Sequence, residues 1–257
     1  MNILDVIRGG ATDAHVRGGS PKLGPVMRSL SWRDKYINQA EFAVPLNGAR
    51  TLRIKQLPNG ETTGLGTGLT VWPAAVVLLQ YLVHRYGHLG CKRVVELGCG
   101  TGAVGLAAAM LGGRVVLTDQ AQVQFLMREN AALNNVSVEL CEYDWGKPLV
   151  GPLATPVDLV LISDCILPKL YPIEPLVSAI DLLCGPWTRV LISFEYRYFP
   201  AFDPKARFCA LLDTVGLELR TIPLTEQHPS YHVEDIELWE IARMRSRRRP
   251  ILETRDA

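Results

Sequence analysis

Two patterns of hydrophobic and polar positions alternate along this chain. Short apolar runs rich in valine, leucine and isoleucine are typical of strands buried on both faces of a sheet. Longer segments in which apolar residues return every three or four positions are typical of helices that pack one side on a core. Strands are predicted over residues 93–97, 114–118, 137–142, 158–162, 189–194, 217–222 and 235–242. Helices are predicted over residues 72–86, 103–111, 121–134, 173–184 and 203–215.

The order of these elements predicts an α/β fold. Strands that alternate with helices at this spacing form right-handed units on a parallel sheet, with helices on both faces. No helix separates the last two strands, so one of them must run antiparallel to the other. Ahead of this core, strand-like runs at 42–46 and 52–56 flank Asn47-Gly48-Ala49, which predicts a β-hairpin.

The two ends of the chain differ from the middle. Residues 1–40 are predicted to form a mostly flexible leader, because its glycines and polar residues follow no period. Residues 41–242 are predicted to form a single domain. The tail at 243–257 begins with an arginine run that fits a nuclear address or a phosphate-binding patch, although a solvated tail is the simpler interpretation.

Composition and charge narrow the class of protein. Of the 257 residues, 48% are hydrophobic, which suits one sizeable core and excludes collagen-like, coiled-coil and wholly disordered chains. The net charge of +1 disfavours nucleic acid as a partner, and no apolar run approaches the ~20 residues that span a membrane. The six cysteines lack zinc or redox spacing, and no secretory signal is apparent. These features predict a cytoplasmic protein, with nuclear entry left open by the tail.

A glycine-rich loop follows the first strand of the sheet, in the segment Val94-Val95-Glu96-Leu97-Gly98-Cys99-Gly100-Thr101-Gly102-Ala103-Val104-Gly105. Glycines at a strand-to-helix turn let the backbone bend sharply and approach a ligand, while the helix N-terminus favours anionic or polar groups. Two fingerprints fit this segment. Gly100, Gly102 and Gly105 have dinucleotide-binding spacing. Glu96, Gly98, Gly100 and Gly102 have the spacing of the nucleoside site of class I methyltransferases.

Nearby features favour the methyltransferase interpretation. Glu96 is an acid at a strand end, which repels a pyrophosphate but suits the cationic amino-acid part of a ligand. Asp144-Trp145, after the third strand, offers a polar group and an aromatic plane to an adenine. The final helix-free strand pair fits a sheet of order 3-2-1-4-5-7-6 rather than a six-stranded dinucleotide domain. Asp119, at the end of the second strand, suits a ribose diol in either interpretation.

The motifs together resemble those of the seven-strand S-adenosylmethionine-dependent methyltransferases of family 16, which methylate lysines in folded proteins. The resemblance covers roughly residues 42–242 and rests on Val71-Trp72-Pro73-Ala74-Ala75, the glycine loop, Leu117-Thr118-Asp119, Asp144-Trp145-Gly146, Ser163-Asp164-Cys165-Ile166 and Glu195-Tyr196-Arg197. It implies a Rossmann-like class I fold, S-adenosyl-L-methionine as cofactor, S-adenosyl-L-homocysteine as product, and a protein substrate such as a chaperone or an AAA-type ATPase. By position, it implies a cofactor pocket lined by Trp72, Gly98, Cys99, Gly100, Asp119, Trp145 and Ser163, beside Glu96.

The substrate side departs from the family pattern. The family carries Asp-x-x-Tyr after the fourth strand, where it helps to frame the substrate amine. Here Asp164 is present, but Leu167 replaces the tyrosine, and Tyr171 can supply an aromatic side chain from the same loop. Asp164 is therefore predicted to position the amine, with a turn cap as the alternative. Glu195 and Arg197 are predicted to face the substrate, with an ion pair that fixes their loop as an equal alternative.

The sequence thus predicts a protein-lysine N-methyltransferase. A methyltransferase with another acceptor, either a small molecule or a different protein side chain, is the first alternative. A non-catalytic module that binds the cofactor is the second.

Overall fold

The structure is a computed structural model that describes residues 39–46, 48, 50–57, 66–168, 170–197 and 199–244. Most of the predicted leader and most of the predicted basic tail lie outside the described residues. Among the residues described, no helix is both long and apolar enough to cross a membrane.

A seven-stranded sheet forms the centre of the domain. A separate hairpin of β1 (Glu41–Pro45) and β2 (Thr51–Lys55) precedes it. The sheet contains β3 (Arg93–Leu97), β4 (Arg114–Asp119), β5 (Glu139–Glu142), β6 (Leu159–Ser163), β7 (Arg189–Glu195), β8 (Leu217–Ile222) and β9 (Ile236–Arg243). Its order is β5-β4-β3-β6-β7-β9-β8, and β9 runs antiparallel to both of its neighbours. This is the predicted order 3-2-1-4-5-7-6, which is therefore confirmed together with the α/β class and the hairpin.

In the part of the chain that the structure describes, five α-helices cover the two faces of the sheet. They are α1 (Pro73–Tyr86), α2 (Ala103–Met110), α3 (Gln124–Leu133), α4 (Ile173–Leu183) and α5 (Pro204–Thr214). Successive strand residues point to opposite faces, so Leu159 and Leu161 of β6 pack with α1, α2, α3 and the hairpin, whereas Val160 and Ile162 pack with α4 and α5. Both faces of each central strand are thus buried, which explains the continuous apolar runs in the sequence.

Most element boundaries differ from the predicted ones by one to three residues, and two of these differences change an assignment. The helix predicted over 121–134 begins as a 3-10 turn at Ala121–Val123 and becomes α-helical at Gln124. Strand β9 extends through Arg243, which the sequence assigns to the basic tail. The Arg243 guanidinium donates hydrogen bonds to the carbonyl oxygens of Asp181, Cys184 and Val215, at 2.7 to 2.8 Å. These bonds hold Arg243 on the domain, so the tail begins after it.

Two asparagines attach the hairpin to the rest of the domain. The Asn130 side chain accepts a hydrogen bond from Lys55 N (2.7 Å) and donates to Lys55 O and to Thr101 O, at 3.0 Å each. One turn later, Asn134 makes the same pair of bonds with Arg53 N (2.9 Å) and Arg53 O (2.6 Å). The two amides pair with the edge of β2 as a further strand would. They therefore fix the hairpin against α3, and Asn130 also fixes it to the glycine loop.

We expect Asn130→Ala to lower the free energy of unfolding by about 3 kcal/mol, because it leaves three backbone groups without their protein partner. Asn134→Ala is the matched control, since its bonds to β2 are more exposed. It should cost only about 1 kcal/mol. Urea denaturation measures both. Equal losses for the two variants would contradict the role assigned to Asn130.

Candidate functional site

A cavity of about 430 Å³ opens at the carboxyl ends of β3, β4, β5 and β6. Ligands bind at this edge in open α/β sheets, because the loops between parallel strands and helices converge there. The cavity brings together nine of the residues singled out in the sequence, namely Trp72, Glu96, Gly98, Cys99, Gly100, Asp119, Trp145, Ser163 and Asp164. Glu195 and Arg197 do not border it.

The glycine loop needs glycine at two positions for different steric reasons. Gly98 has φ +62°, and a Cβ there would lie 2.8 Å from the Cys165 Sγ and 3.0 Å from the Trp145 ring. Gly100 has φ +52°, and its Cβ would lie 2.5 Å from the carbonyl oxygen of Gly68. Left-handed backbone is costly for other residues. The loop therefore follows a path that only glycine permits, between Trp145 on one side and the segment before α1 on the other.

Glu96 lies beneath this loop and supports the start of α2. Its carboxylate accepts a hydrogen bond from Gly105 N at 2.7 Å, in the first turn of the helix. The side chain is 1% exposed, and this burial raises the pKa of Glu96 to about 8 in spite of the bond from Gly105. Glu96 thus caps the helix as well as bordering the cavity.

The raised pKa of Glu96 predicts a pH-dependent stability. The folded protein keeps a proton on Glu96 up to about pH 8, whereas the unfolded chain releases it near the ordinary value of 4.5. Stability should therefore fall as the pH rises between these two values, by on the order of 4 kcal/mol from this group. Glu96→Gln should remove that part of the slope in denaturation curves measured between pH 5 and 8. Glu139→Gln, at an exposed glutamate of β5, should keep the wild-type slope, and an unchanged slope in Glu96→Gln would contradict the account.

Asp119 ends β4 next to the loop. Its Oδ2 accepts from Gly100 N and its Oδ1 from Gln120 N, both at 2.8 Å. Burial raises the pKa of Asp119, while these two backbone N–H groups favour its charged form. The carboxylate is thus held in place at the cavity wall, with acceptor capacity left for a ligand's hydroxyl groups.

Aromatic and apolar side chains form the opposite wall. Trp145 packs edge to face on Tyr171, with ring centroids 5.9 Å apart. Leu167, which stands at the family's tyrosine position, is 7% exposed and also borders the cavity. Tyr171 N donates to Leu167 O at 2.7 Å, so the loop forms a turn that sets Tyr171 beside the cavity. Tyr171 is therefore placed to supply the aromatic side chain that position 167 lacks.

Asp164 and Arg197 form a buried ion pair at the ends of β6 and β7. Arg197 Nη1 lies 2.7 Å from Asp164 Oδ1, and Nη2 lies 2.6 Å from Oδ2. Arg197 Nη2 also lies 3.2 Å from the Glu195 carboxylate. The Arg197 side chain is only 6% exposed, which corrects the prediction that it faces the substrate. The ion-pair alternative raised by the sequence is the one that the structure contains, because a guanidinium with two carboxylate partners is satisfied inside the domain.

Several residues at the cavity carry no signal in the sequence analysis. Gly68 and Thr70 come from the segment before α1, Gln120 and Gln122 follow β4, and Tyr143 and Pro175 lie near Trp145. The Gly66-Thr67-Gly68 triplet was the one available sign of a close backbone approach in this group. Among the described residues, no cluster of histidine, cysteine, aspartate and glutamate could hold a metal ion.

Solved structures share this fold. The T. thermophilus 16S rRNA N2 G1207 methyltransferase, solved with AdoMet and guanosine, has a TM-score of 0.55 and 16% identity, over 79% of this chain and 50% of that chain. A TehB-like SAM-dependent methyltransferase from Corynebacterium glutamicum has a TM-score of 0.51 and 17% identity, over 72% of this chain and 95% of that one. The sheet order and the glycine loop, with these likenesses, define the fold class as that of the class I methyltransferases.

Sequence comparison assigns the chain more narrowly. A family profile described as lysine methyltransferase, of family 16, matches residues 50–213, which is more than half of the chain. The chain belongs to this family. The family that the motifs predict is thus confirmed.

Curated relatives match a shorter part of the chain. EEF1A lysine methyltransferase 3 of Xenopus tropicalis is 35% identical over 52% of this chain and 60% of that protein. Protein N-lysine methyltransferase METTL21A of Danio rerio is 36% identical over 52% of this chain and 63% of that protein. Histone-arginine methyltransferase METTL23 of Xenopus laevis is 38% identical over 38% of this chain and 44% of that protein. The chain thus spans about three fifths of the first two relatives.

Proposed function

We propose that this protein is an S-adenosylmethionine-dependent methyltransferase that modifies a lysine side chain of a protein substrate. The observation that carries the proposal is that the glycine loop, Asp119 and Asp164 line the same cavity. A nucleoside site and a buried carboxylate for an acceptor amine thereby meet at one sheet edge. Membership of the lysine methyltransferase family supports the choice of acceptor.

The residues present fit the cofactor. Gly98 and Gly100 leave a cradle that a Cβ would fill, and the Trp145 ring borders it as a surface for an adenine. The Asp119 carboxylate suits a ribose diol. When bound, S-adenosylmethionine supplies an electrophilic methyl group on a positively charged sulfur. The acidic side chains Asp119 and Asp164 at the cavity favour such a cationic ligand.

The acceptor amine has to be neutral and held in line with the methyl group. A lysine with an ordinary pKa of about 10.4 must first lose its proton, which removal of water from the cavity assists. The Asp164 carboxylate can accept a hydrogen bond from the amine and orient it. Leu167 and Tyr171 bound the apolar path along which the lysine stem would enter.

Methyl transfer to protein is the test. The purified protein is incubated with S-adenosylmethionine carrying a tritiated methyl group and a cell lysate, and the precipitated protein is hydrolysed for amino-acid analysis. We expect label in methylated lysine, and we expect Asp164→Ala to lower it strongly while Asp213→Ala, at an exposed aspartate of α5, does not. Label found only in small molecules, or no label above a protein-free control, would contradict the proposal.

Transfer to arginine is the second candidate, because one relative is named a histone-arginine methyltransferase. The same hydrolysate separates the two acceptors, since methylated arginine and methylated lysine are distinct products. Label in methylated arginine would leave the proposed cofactor site unchanged, and it would make arginine rather than lysine the acceptor.

The protein substrate is a separate proposal. A chaperone or an AAA-type ATPase stays a prediction from the family resemblance. EEF1A is the first purified acceptor to assay, because one relative is named for it. The cytoplasmic location likewise stays a prediction.

A further inference from the structure

The Asp164 carboxylate borders the cavity, whereas Arg197 does not. In the part of the chain that the structure describes, the hydrogen bonds recorded to this carboxylate both come from the Arg197 guanidinium, at 2.7 and 2.6 Å. The orientation of Asp164 therefore depends on a residue that lies outside the cavity wall.

The backbone at Asp164 adds to this dependence. Asp164 has φ +55°, a left-handed conformation that is uncommon outside glycine, and its N–H donates to Ser193 O at 2.9 Å. The backbone is thus fixed by the neighbouring strand β7, and the side chain is fixed by the guanidinium that follows the same strand. Strand β7 and the arginine that follows it therefore fix both the backbone and the side chain of Asp164.

The charges of the cluster do not cancel. Asp164 and Glu195 both lie within hydrogen-bond distance of the one Arg197 guanidinium, so the three side chains carry a net charge of −1 when ionised. A guanidinium takes one lone pair on each oxygen of its partner, which leaves further acceptor sites on the Asp164 carboxylate. That remaining capacity and charge suit a lysine amine or ammonium in the cavity.

We propose that Arg197 is a positioning residue that holds the Asp164 carboxylate fixed at the cavity wall, where the acceptor amine is received. The proposal rests on the proposed function. It makes Asp164 a fixed anion rather than a mobile side chain, and it gives Arg197 an effect on transfer without contact with either ligand.

The first test is a double-mutant cycle in the lysate assay. Arg197→Lys keeps a positive charge but loses the bidentate hydrogen bonding to the Asp164 carboxylate. We expect the methyl-transfer rate to fall about 10- to 100-fold, as for a misplaced reacting group. Asp164→Asn should lower the rate at least as far, because it also removes the carboxylate that receives the amine. The double variant should be no slower than Asp164→Asn alone, because Arg197 acts only through Asp164. Calorimetric affinity for S-adenosylhomocysteine should change less than about threefold in each variant.

Arg243→Lys is the matched control. Arg243 also makes three side-chain bonds and pairs with an acid, Asp181, but it lies at the opposite sheet edge. A purely structural arginine of this kind should leave the transfer rate at the wild-type level. Rates of Arg197→Lys equal to those of Arg243→Lys, or additive losses in the cycle, would overturn the proposal.

The second test does not depend on activity. In Arg197→Met, the Asp164 carboxylate loses the two hydrogen bonds that the guanidinium donates to it. The infrared carboxylate band of Asp164, taken as the difference between each protein and its Asp164→Asn counterpart, should therefore shift between the wild type and Arg197→Met. An unchanged Asp164 band would overturn the proposal. Should the wild type transfer no methyl group, the proposed function fails, and this band still decides whether Arg197 holds the Asp164 carboxylate.

Discussion

Gly100→Ala is expected to abolish measurable binding of S-adenosylhomocysteine and to lower the free energy of unfolding by about 2 to 4 kcal/mol. The added Cβ would lie 2.5 Å from the Gly68 carbonyl oxygen, which is backbone and has no rotamer by which to move aside. Either the glycine loop or the segment before α1 must shift. Both border the cavity, so the shift would deform the cradle in which the cofactor lies. Calorimetry and urea denaturation measure the two effects.

Gly151→Ala is the control for this variant. Gly151 has φ +54°, close to the +52° of Gly100, but a Cβ there meets nothing within 4 Å. It carries the same backbone strain, worth about 1 kcal/mol, without the steric clash. Wild-type affinity in Gly100→Ala, or an equal loss of affinity in Gly151→Ala, would show that the approach of Gly68 to Gly100 does not shape the site.

Asp119→Ala is expected to weaken S-adenosylhomocysteine binding by about 100- to 1000-fold. The carboxylate is held in place by Gly100 N and Gln120 N, and a ribose diol would offer it two hydroxyl donors. Hydrogen bonds to a charged group contribute about 1.5 to 3 kcal/mol each, and every 1.4 kcal/mol is a factor of ten in affinity. Calorimetric titration of the wild type and the variant gives the ratio directly.

Glu142→Ala is the matched control for charge. Glu142 pairs with Asp119 across β4 and β5 but is exposed and does not border the cavity. Its loss should leave the affinity within about twofold of the wild type. A comparable loss in both variants would mean that Asp119 acts through the general field of the sheet edge rather than by contact.

Much of the fold could be predicted because the sequence encodes it locally. The valine- and leucine-rich runs of β3 and β4 and the glycines after them mark strand, turn and helix within one continuous segment. The antiparallel last strand followed from the lack of an α-helix between residues 222 and 236, where the structure has only a 3-10 turn at Leu224–Glu226. Asp119 and Trp145 could be placed at the cavity for a similar reason, since Asp119 ends β4 and Trp145 lies three residues after the end of β5, both in the parallel part of the sheet.

The remaining features depend on contacts between segments distant in sequence. The approach of Gly68 to Gly100 requires the chain before α1 to fold back over the loop. The asparagine pairs that hold β2 are set by the position of α3 against the hairpin. The orientation of Arg197 toward Asp164 follows from the register of β6 and β7. It could not be predicted, because the sequence does not distinguish a buried arginine at a strand end from an exposed one.

Calorimetric titration of the wild-type protein with S-adenosylhomocysteine, and separately with NAD⁺, tests the central claim most directly. The glycine loop taken alone satisfies both fingerprints, and the ligand that binds distinguishes them directly. We predict one S-adenosylhomocysteine bound per chain, with a dissociation constant in the micromolar range, and no binding of NAD⁺. Binding of NAD⁺ without S-adenosylhomocysteine, or of neither ligand to the folded protein, would contradict the assignment of this cavity as a methyltransferase cofactor site.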